Sequence, residues 1–313
     1  MAEAAAAAMP AQTAPLVRME AITKSFPGVK ALDGVSLDVR PGEVHALLGE
    51  NGAGKSTLIK ILAGVYRADA GSIEVGGRAV SFESPAEALA AGLKVVFQEI
   101  ALIPEFTVAE NIFMENHPLG RLGLVDWRSM REKARAIFDR AGFALDPDAR
   151  VGDLSVSQQQ LVEISRALAY DARVVVMDEP TSSLTPGEVA HLFGVIRRLR
   201  DLGIGIVYVS HKLEEIFEIC DRATVLRDGR WVSTKPVAEH DSQSLIRDMV
   251  GRDIEELFPK TKHHGGQVMV KVEGLSTRSK LHDISFEVRA GEVLGFFGLM
   301  GAGRTELAKA LVG

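Results

Sequence analysis

The chain has 313 residues, of which 46% are apolar and 25% are charged, with 30 Gly and 12 Pro. This composition is that of a folded globular protein of about two domains, and it excludes collagen, coiled coil and wholesale disorder. A net charge of −6 gives no overall positive field, which argues against nucleic acid as the main partner, and a single cysteine excludes an intramolecular disulfide.

The N-terminal part of the chain divides into a tail and a strand-rich segment. Residues 1–15 are rich in alanine, lack the basic and leucine-rich regions of a signal peptide, and predict a disordered tail. From Leu16 to Arg40, alternating apolar stretches interrupted at Pro27-Gly28 and at Asp33-Gly34 predict antiparallel strands with turns. No apolar run reaches the roughly 20 residues of a spanning helix, so any membrane role is expected to come through a partner.

A glycine-rich loop follows the next predicted strand, Val44 to Leu48. The loop satisfies the phosphate-binding pattern G-x-x-x-x-G-K-[ST] and precedes a predicted helix from Thr57 to Ala63. Its glycines allow backbone amides to converge on an anion, and the helix N-terminus adds free amides and a positive dipole end. The predicted nucleotide-binding residues are Gly49, Glu50, Asn51, Gly52, Ala53, Gly54, Lys55, Ser56 and Thr57. Lys55 is expected to contact the β and γ phosphates, and the Ser56 hydroxyl to bind Mg²⁺.

The middle of the chain contains a predicted helix from Asp126 to Arg140. Asp126 can cap the helix, and Trp127, Met130, Ala134, Ile137 and Phe138 are spaced to lie on one apolar side. Its basic residues, Arg128, Arg131, Lys133 and Arg135, are interpreted as a solvated face, with a nucleic-acid patch as the weaker alternative.

Two further core strands are predicted, and the first ends in two carboxylates. Val174 to Met177 is followed by Asp178 and Glu179, and Ile206 to Val209 is the other apolar run. Where the strand ends, both acids can face one crevice; Asp178 is expected to bind Mg²⁺, and Glu179 to act as general base. The predicted fold class is α/β, with a mixed β-sheet core, an antiparallel β subdomain and a helical subdomain.

The chain repeats part of itself. Residues 32–64 align without gaps on residues 281–313, at a constant offset of 249 and with 15 identical pairs in 33. Such a register indicates duplication of a domain-sized unit. The predicted boundaries are a first domain over 16–250, a linker over 251–267, and an incomplete N-terminal part of a second domain over 268–313.

The order of the remaining motifs resembles the ATP-binding cassette (ABC) family, and this resemblance covers essentially all of the chain from Leu16 onward. Gln98, after the predicted strand Val95 to Phe97, resembles the Q-loop glutamine, and His211 resembles the switch histidine. The signature motif is matched by Leu154, Ser155, Val156, Ser157 and Gln158.

The resemblance implies a role for each of these residues. Gln98 would bind the metal and couple it to a transport partner. Ser155 and the helix predicted from Ser157 to Ala169 would face the γ-phosphate of a nucleotide held by another cassette, so that hydrolysis requires two cassettes. Phe26 lies where the family has an aromatic residue that stacks on adenine, although it could equally be a core residue.

Three features depart from the family pattern. The signature is Leu-Ser-Val-Ser-Gln where the family has Leu-Ser-Gly-Gly-Gln, and Thr185 stands where the family often has Asp. In the second copy, Arg304 replaces the lysine of the phosphate loop. Because a guanidinium binds phosphate differently from an ammonium, the second site is expected to be impaired.

Together with three longer segments, these features resemble the ATP-binding subunits of bacterial monosaccharide importers for ribose, galactose, xylose and arabinose. The segments are LSVSQQQLVEISRAL, VSHKLEEIFEICDRATVLRDG and MVGRDIEELFP. Ribose is the leading expectation within this group. The implied ligands are ATP and Mg²⁺, and the implied activity is ATP hydrolysis that drives sugar transport.

The implied partners are two membrane permease subunits, a second ABC cassette and, indirectly, a periplasmic sugar-binding protein. The implied location is the cytoplasmic face of the inner membrane. Two alternatives remain open: a tandem-cassette ATPase that acts on the ribosome, and a fragment that binds ATP but hydrolyses it poorly.

Overall fold

A computed structural model describes residues 14–96, 101–121, 123–251, 266–277, 280–298 and 301–312. The chain divides into two compact units, unit 1 (Met1–Ile254) and unit 2 (Glu255–Gly313). The predicted tail up to residue 13, Gln98, and most of the predicted linker (252–265) lie outside the described residues. Among the described helices, none combines the length and apolarity needed to cross a membrane.

Unit 1 contains ten strands and eight helices in its described parts. The strands are β1 (Val17–Phe26), β2 (Val29–Val39), β3 (Val44–Leu48), β4 (Ala70–Val75), β5 (Arg78–Val80), β6 (Leu93–Val96), β7 (Val174–Asp178), β8 (Gly205–Val209), β9 (Arg222–Arg227) and β10 (Arg230–Pro236). The helices are α1 (Lys55–Leu62), α2 (Pro85–Ala90), α3 (Val108–Ile112), α4 (Trp127–Ala141), α5 (Val156–Ala169), α6 (Pro186–Asp201), α7 (Leu213–Ile219) and α8 (Ser242–Val250). Short 3₁₀ turns occur at Val151–Asp153 and Val237–Glu239.

The six-stranded core sheet of unit 1 has the order β10-β9-β3-β8-β7-β6. Neighbours from β9 to β6 pair in parallel, and β10 pairs antiparallel with β9. All residues of β3 and β8, and all of β7 except Asp178, are buried. Strands covered on both faces need continuous apolar runs, which explains why these three strands were predictable from the sequence.

A separate antiparallel sheet has the order β2-β1-β4-β5. Pro27-Gly28 forms the β1–β2 turn, as predicted, with Phe26 paired to Val29. The turn predicted at Asp33-Gly34 is wrong, because both residues lie inside β2. The register there shifts from Ile22↔Val35 to Lys24↔Leu32, so one extra residue is accommodated as a bulge, and Gly34 has φ +70°.

Helices α3, α4 and α5 form the predicted helical subdomain. The Asp126 side chain caps α4 by accepting a hydrogen bond from the Ser129 amide at 3.0 Å. The apolar positions predicted for its inner side are buried, except that Trp127 is 49% exposed, so the prediction for Trp127 is wrong. Trp127 is the first residue of the helix, and its side chain lies at the exposed end of the apolar side. The basic residues lie on the solvated side, where Arg131 pairs with Asp148 at 2.5 Å.

Unit 2 repeats the first elements of unit 1 at the same offset. It contains β11 (Val268–Leu275) and β12 (Ile284–Arg289), which pair antiparallel, and α9 (Arg304–Val312), the counterpart of α1. Residues 293–297 correspond to β3 but form no strand, and Val293 and Phe297 are at least 95% exposed. In unit 1, β3 is held between β8 and β9; within the described residues of unit 2, the sheet has only two strands.

An ion-pair network joins the two sheets of unit 1. Arg222 donates to Asp38 of β2 at 2.8 and 2.9 Å and to Glu43 at 3.0 Å. Burial by itself raises the pKa of Asp38, but the hydrogen bonds and charge of Arg222 outweigh it, and the pKa lies below its ordinary value of 3.8. The carboxylate therefore contributes stability above about pH 4, which is lost as the pH falls through the lowered pKa.

Arg222→Met is expected to lower the free energy of unfolding by about 3 kcal/mol at pH 7, because it removes the cation that lies nearest to two partly buried carboxylates, Asp38 and Glu43. The difference from wild type should shrink below about pH 4, where protonation of Asp38 removes the pair from the wild type as well. Urea unfolding at neutral and acid pH checks both points. Arg230→Met removes the exposed pair with Asp33 and should change little; equal effects of the two substitutions at neutral pH would contradict the prediction.

Candidate functional site

The phosphate-loop sequence joins β3 to α1 as a tightly packed turn. Gly49 has φ +147°, and a Cβ there would lie 2.3 Å from the Leu226 carbonyl oxygen. Gly54, the residue before α1, has φ +101°, and its Cβ would lie 2.7 Å from the Ala31 oxygen. Both positions therefore require glycine, for backbone conformation and for space. Lys55 and Ser56 are the first two residues of the helix.

Lys55 holds its own loop. Its Nζ donates to the carbonyl oxygens of Gly49 at 2.7 Å and Glu50 at 3.0 Å. Burial lowers the pKa of Lys55, and the charges of Glu179 and Asp178 oppose that shift. The ammonium thus lies between neutral carbonyl groups and two acids. From this position it can exchange its hydrogen bonds to the carbonyls for hydrogen bonds to a phosphate.

The two predicted acids lie across a cleft from this loop. Asp178 is the last residue of β7, and the next residue, Glu179, has φ +48°, so the chain turns between the two side chains. The cleft has a volume of about 550 Å³. The predicted residues that line it are Asn51, Gly52, Gly54, Lys55, Ser56, Thr57, Asp178 and Glu179. Gly49, Glu50 and Ala53 belong to the same loop but do not line the cleft.

The cleft suits a magnesium ion that arrives with phosphate. Ser56 offers a hydroxyl and Asp178 a carboxylate, and Mg²⁺ takes such oxygen ligands while keeping waters and substrate phosphates in its coordination sphere. In the described part of the chain, no group of three or more acidic, His or Cys side chains could hold a metal by itself. Burial raises the pKa of Asp178, the charge of Glu179 raises it further, and Lys55 partly offsets both effects.

His211 lies beside Glu179. It follows β8, which pairs with β7 through Asp178↔Val209, and the Glu179 amide donates to the Val209 carbonyl at 2.9 Å. The His211 Nδ1 lies 3.2 Å from Glu179 Oε1. Two residues 32 positions apart in the chain are therefore brought together by adjacent strands.

Two of the residues predicted for the signature motif, Ser155 and Gln158, form a helix cap. The Ser155 Oγ accepts from the Gln158 amide at 3.3 Å, and the Gln158 Oε1 accepts from the Ser155 amide at 3.0 Å, which is a capping box. Helix α5 begins at Val156, one residue before the predicted start at Ser157. None of the five signature residues, from Leu154 to Gln158, lines the cleft that contains Lys55.

Phe26 ends β1 and is 36% exposed, so it is not a core residue. Its ring packs edge to face against Tyr66 with centroids 5.3 Å apart. It does not line the cleft, although Val29, three residues further along the chain, does. Stacking of Phe26 on adenine stays a prediction.

The turn at Asp228 and Gly229 also lines the cleft and was not predicted from the sequence. This turn joins β9 to β10, and the Gly229 amide donates to the Ala53 carbonyl of the phosphate loop at 3.2 Å. The dipeptide Asp-Gly between two apolar stretches is a hairpin signal. It predicts the turn, but not its contact with a loop more than 170 positions earlier.

Gly54→Ala and Gly52→Ala separate close packing from backbone strain. Both residues have positive φ, but a Cβ at Gly52 meets nothing within 4 Å, whereas at Gly54 it collides with β2. We expect Gly54→Ala to lower the free energy of unfolding by about 2 kcal/mol more than Gly52→Ala, because overpacking adds to the shared strain. Thermal or urea unfolding of the two variants measures the difference. Equal stability would show that the approach of Gly54 to β2 is unimportant.

A family profile and the curated relatives of this chain agree on one class of protein, the ATP-binding proteins of ABC transporters. The family profile described as "ABC transporter" matches residues 32–182. The chain is 53% identical over 299 residues to the ribose import ATP-binding protein RbsA 3 of Rubrobacter xylanophilus, covering 96% of this chain and 60% of that protein. It is 48% identical over 300 residues to the galactose/methyl galactoside import ATP-binding protein MglA of Salmonella typhimurium, covering 95% of this chain and 59% of that protein.

Among solved structures, the ADP conformation of MJ1267, an ATP-binding cassette of an ABC transporter, matches with a TM-score of 0.67 and 30% identity. The match covers 77% of this chain and all of that one. The chain spans about three fifths of the length of the curated relatives it matches.

Proposed function

Because this chain belongs to the ATP-binding cassette family of ABC transporters, we propose that it binds and hydrolyses ATP to energise the import of a monosaccharide. The observation that carries the proposal is the cleft in which the phosphate loop faces Asp178 and Glu179. The sugar class is supported by the names of its relatives, which are ribose and galactose import ATP-binding proteins. Ribose is the first candidate.

In this proposal, the loop between β3 and α1 binds the triphosphate. Backbone amides at the start of α1 and the Lys55 ammonium would bind the phosphate oxygens, Lys55 exchanging its two carbonyl partners for them. Ser56 and Asp178 would hold Mg²⁺ with the phosphates. When bound, the ion neutralises part of the charge on the phosphate oxygens. Gln98 is proposed as a further ligand and stands outside the described residues.

Glu179 is proposed as the general base. Its carboxylate would accept a proton from a water whose oxygen forms a bond to the γ-phosphorus. The bond from that phosphorus to the β–γ bridging oxygen breaks, and ADP and inorganic phosphate are released. His211, 3.2 Å from the Glu179 carboxylate, would orient it toward the water. Phe26 would stack on the adenine.

The signature residues are proposed to act on a nucleotide held by another cassette. Ser155 and the amides at the start of α5 would face the γ-phosphate across an interface between two cassettes. This assignment is supported by their position outside the cleft that contains Lys55. The second phosphate loop, with Arg304 for lysine, is proposed to be impaired.

The proposed partners are two permease subunits, at the cytoplasmic face of the inner membrane, and indirectly a periplasmic sugar-binding protein. Deletion of the gene should abolish high-affinity uptake of one labelled sugar among ribose, galactose, xylose and arabinose. The tagged protein should sediment with membranes that contain its permeases. Normal uptake of all four sugars, with sedimentation on ribosomes, would instead favour the tandem-cassette alternative.

A further inference from the structure

A buried carboxylate lies behind the cleft, in α7. Glu215 is 6% exposed and does not line the cleft. Its Oε1 accepts from the Thr181 hydroxyl at 2.7 Å, and its Oε2 accepts from the hydroxyls of Ser210 at 2.7 Å and Tyr208 at 2.8 Å. The Lys212 ammonium lies 3.1 Å from Oε1. We call Glu215 and these four partners the Glu215 cluster.

The Glu215 cluster joins the two segments that carry the proposed catalytic groups. Thr181 follows Glu179 by two residues in the turn after β7, and Ser210 immediately precedes His211 after β8. One carboxylate therefore binds both segments at once. Lys212 adds a second link, because its Nζ also lies 3.2 Å from the Thr181 hydroxyl oxygen.

Few other side chains restrain the turn after Glu179. The Gln160 side chain donates to the Pro180 carbonyl at 2.5 Å, and the Lys212 ammonium donates to the Thr181 carbonyl at 3.4 Å. The backbone adds bonds from the Glu179 amide to Val209, from the Ser182 amide to Glu179 and from the Leu184 amide to Thr181. Glu179 itself has φ +48°, a conformation that a residue with a Cβ keeps only where its surroundings impose it. The hydroxyl of Thr181 is thus one of the few side-chain anchors of a strained turn.

The cluster favours a charged Glu215. Burial by itself raises the pKa of this carboxyl, but the hydrogen bonds from Thr181, Ser210 and Tyr208 and the ammonium of Lys212 outweigh it and hold the pKa below its ordinary value. A buried carboxylate with this many donors keeps one arrangement, since any movement would leave a polar group unsatisfied.

We propose that Glu215 is a positioning residue, which holds the turn after Glu179 and the segment before His211 so that these two side chains remain in contact. This inference rests on the proposed function, because it assigns Glu215 a role in hydrolysis exerted through Glu179 and His211. Thr181 and Ser210 transmit the effect. The carboxylate does not line the cleft, so it would touch neither the nucleotide nor the metal.

The test uses histidine-labelled full chain and follows the ring signals of His211 by NMR. Glu179→Gln sets the reference, because it changes the charge beside His211. Thr181→Val removes one hydroxyl with little change of shape, Glu215→Gln removes the carboxylate charge, and Thr181→Ser retains the hydroxyl. The matched control is Thr224→Val, which removes a buried hydroxyl hydrogen-bonded to His45 and Thr234 away from the cleft.

We expect Thr181→Val and Glu215→Gln to shift the His211 ring signals, and Thr181→Ser and Thr224→Val to leave them at their wild-type positions. His211 signals in Thr181→Val and Glu215→Gln that coincide with those of wild type would overturn the proposal. The Glu215→Gln variant keeps the test decisive if Thr181→Val fails to fold.

A second measurement separates this inference from the proposed function. In ATP hydrolysis, Thr181→Val and Glu215→Gln should lower kcat by about tenfold or more with KM within about twofold of wild type, because a displaced base loses rate but not substrate binding. An unchanged kcat in both variants would overturn the positioning role. A wild-type chain that hydrolyses no ATP at concentrations that allow two cassettes to pair would refute the proposed function, and the His211 signals would still decide whether Glu215 holds the pair together.

Discussion

Lys55→Ala is expected to weaken binding of MgATP by about 100-fold, which corresponds to the loss of charge-assisted hydrogen bonds to phosphate. The same change removes the two bonds from the Lys55 ammonium to the carbonyls of Gly49 and Glu50, so the loop also loses its internal tie. Titration calorimetry with MgATP measures the affinity directly.

Two further lysine variants define what the Lys55 result means. Lys133→Ala removes an exposed lysine of α4 and should bind MgATP as wild type does. Lys55→Arg keeps the charge but places a planar guanidinium in a loop built for a narrow ammonium, so it should also bind weakly. Wild-type affinity in Lys55→Ala would refute the assignment of this loop, and wild-type affinity in Lys55→Arg would refute the view that Arg304 impairs the second loop.

Glu179→Gln is expected to lower the rate of ATP hydrolysis by about 10²- to 10⁴-fold, since it removes the group that accepts the proton of the attacking water. Binding of MgATP should be retained, because the amide keeps the size of the side chain and the phosphate loop is untouched. Phosphate release under single-turnover conditions measures the chemical step, and calorimetry measures the binding.

The control for Glu179→Gln is Glu214→Gln, which changes an exposed carboxylate in α7 and should leave the rate unchanged. Full hydrolysis by Glu179→Gln would contradict the assignment of the base.

The hydrolysis rate per molecule of the wild type should rise with protein concentration, because the signature residues from Leu154 to Gln158 are proposed to complete the site of another cassette. A rate per molecule that is independent of concentration would contradict the two-cassette arrangement.

The parts of the fold that depend on local sequence were predictable. Strands β3, β7 and β8 are almost entirely apolar, apart from the buried His45 in β3 and Asp178 at the end of β7, because both faces of the core sheet are covered. The phosphate loop was predictable because the glycines at 49 and 54 meet conformational and packing demands that other residues cannot. The family resemblance drawn from motif order is confirmed by the match to the ABC transporter profile and by relatives about half identical to the chain.

The remaining features depend on contacts between distant residues. Asp33-Gly34 has the composition of a turn. Strand β2 nevertheless continues through it as a bulge, because the residues of β2 on either side of the bulge pair with β1. Trp127 has the spacing of a core residue, but it lies at the exposed first position of α4. Local pattern cannot show which neighbours an element will have.

The Glu215 cluster was missed for the same reason. Its Thr181 and Glu215 are 34 positions apart, and neither residue type in its local sequence signals burial. Residues 293–297 give a complementary example. They resemble β3 in sequence, but they form no strand in a unit whose described sheet has only two strands.

We infer that the amides and Lys55 of the phosphate loop bind a nucleoside triphosphate opposite Asp178 and Glu179. Titration of the purified chain with ATP, with magnesium and then with a chelator in its place, tests it most directly. ATP should bind saturably, and its binding should weaken when magnesium is removed. Absence of any magnesium-dependent binding of adenine nucleotide would contradict it.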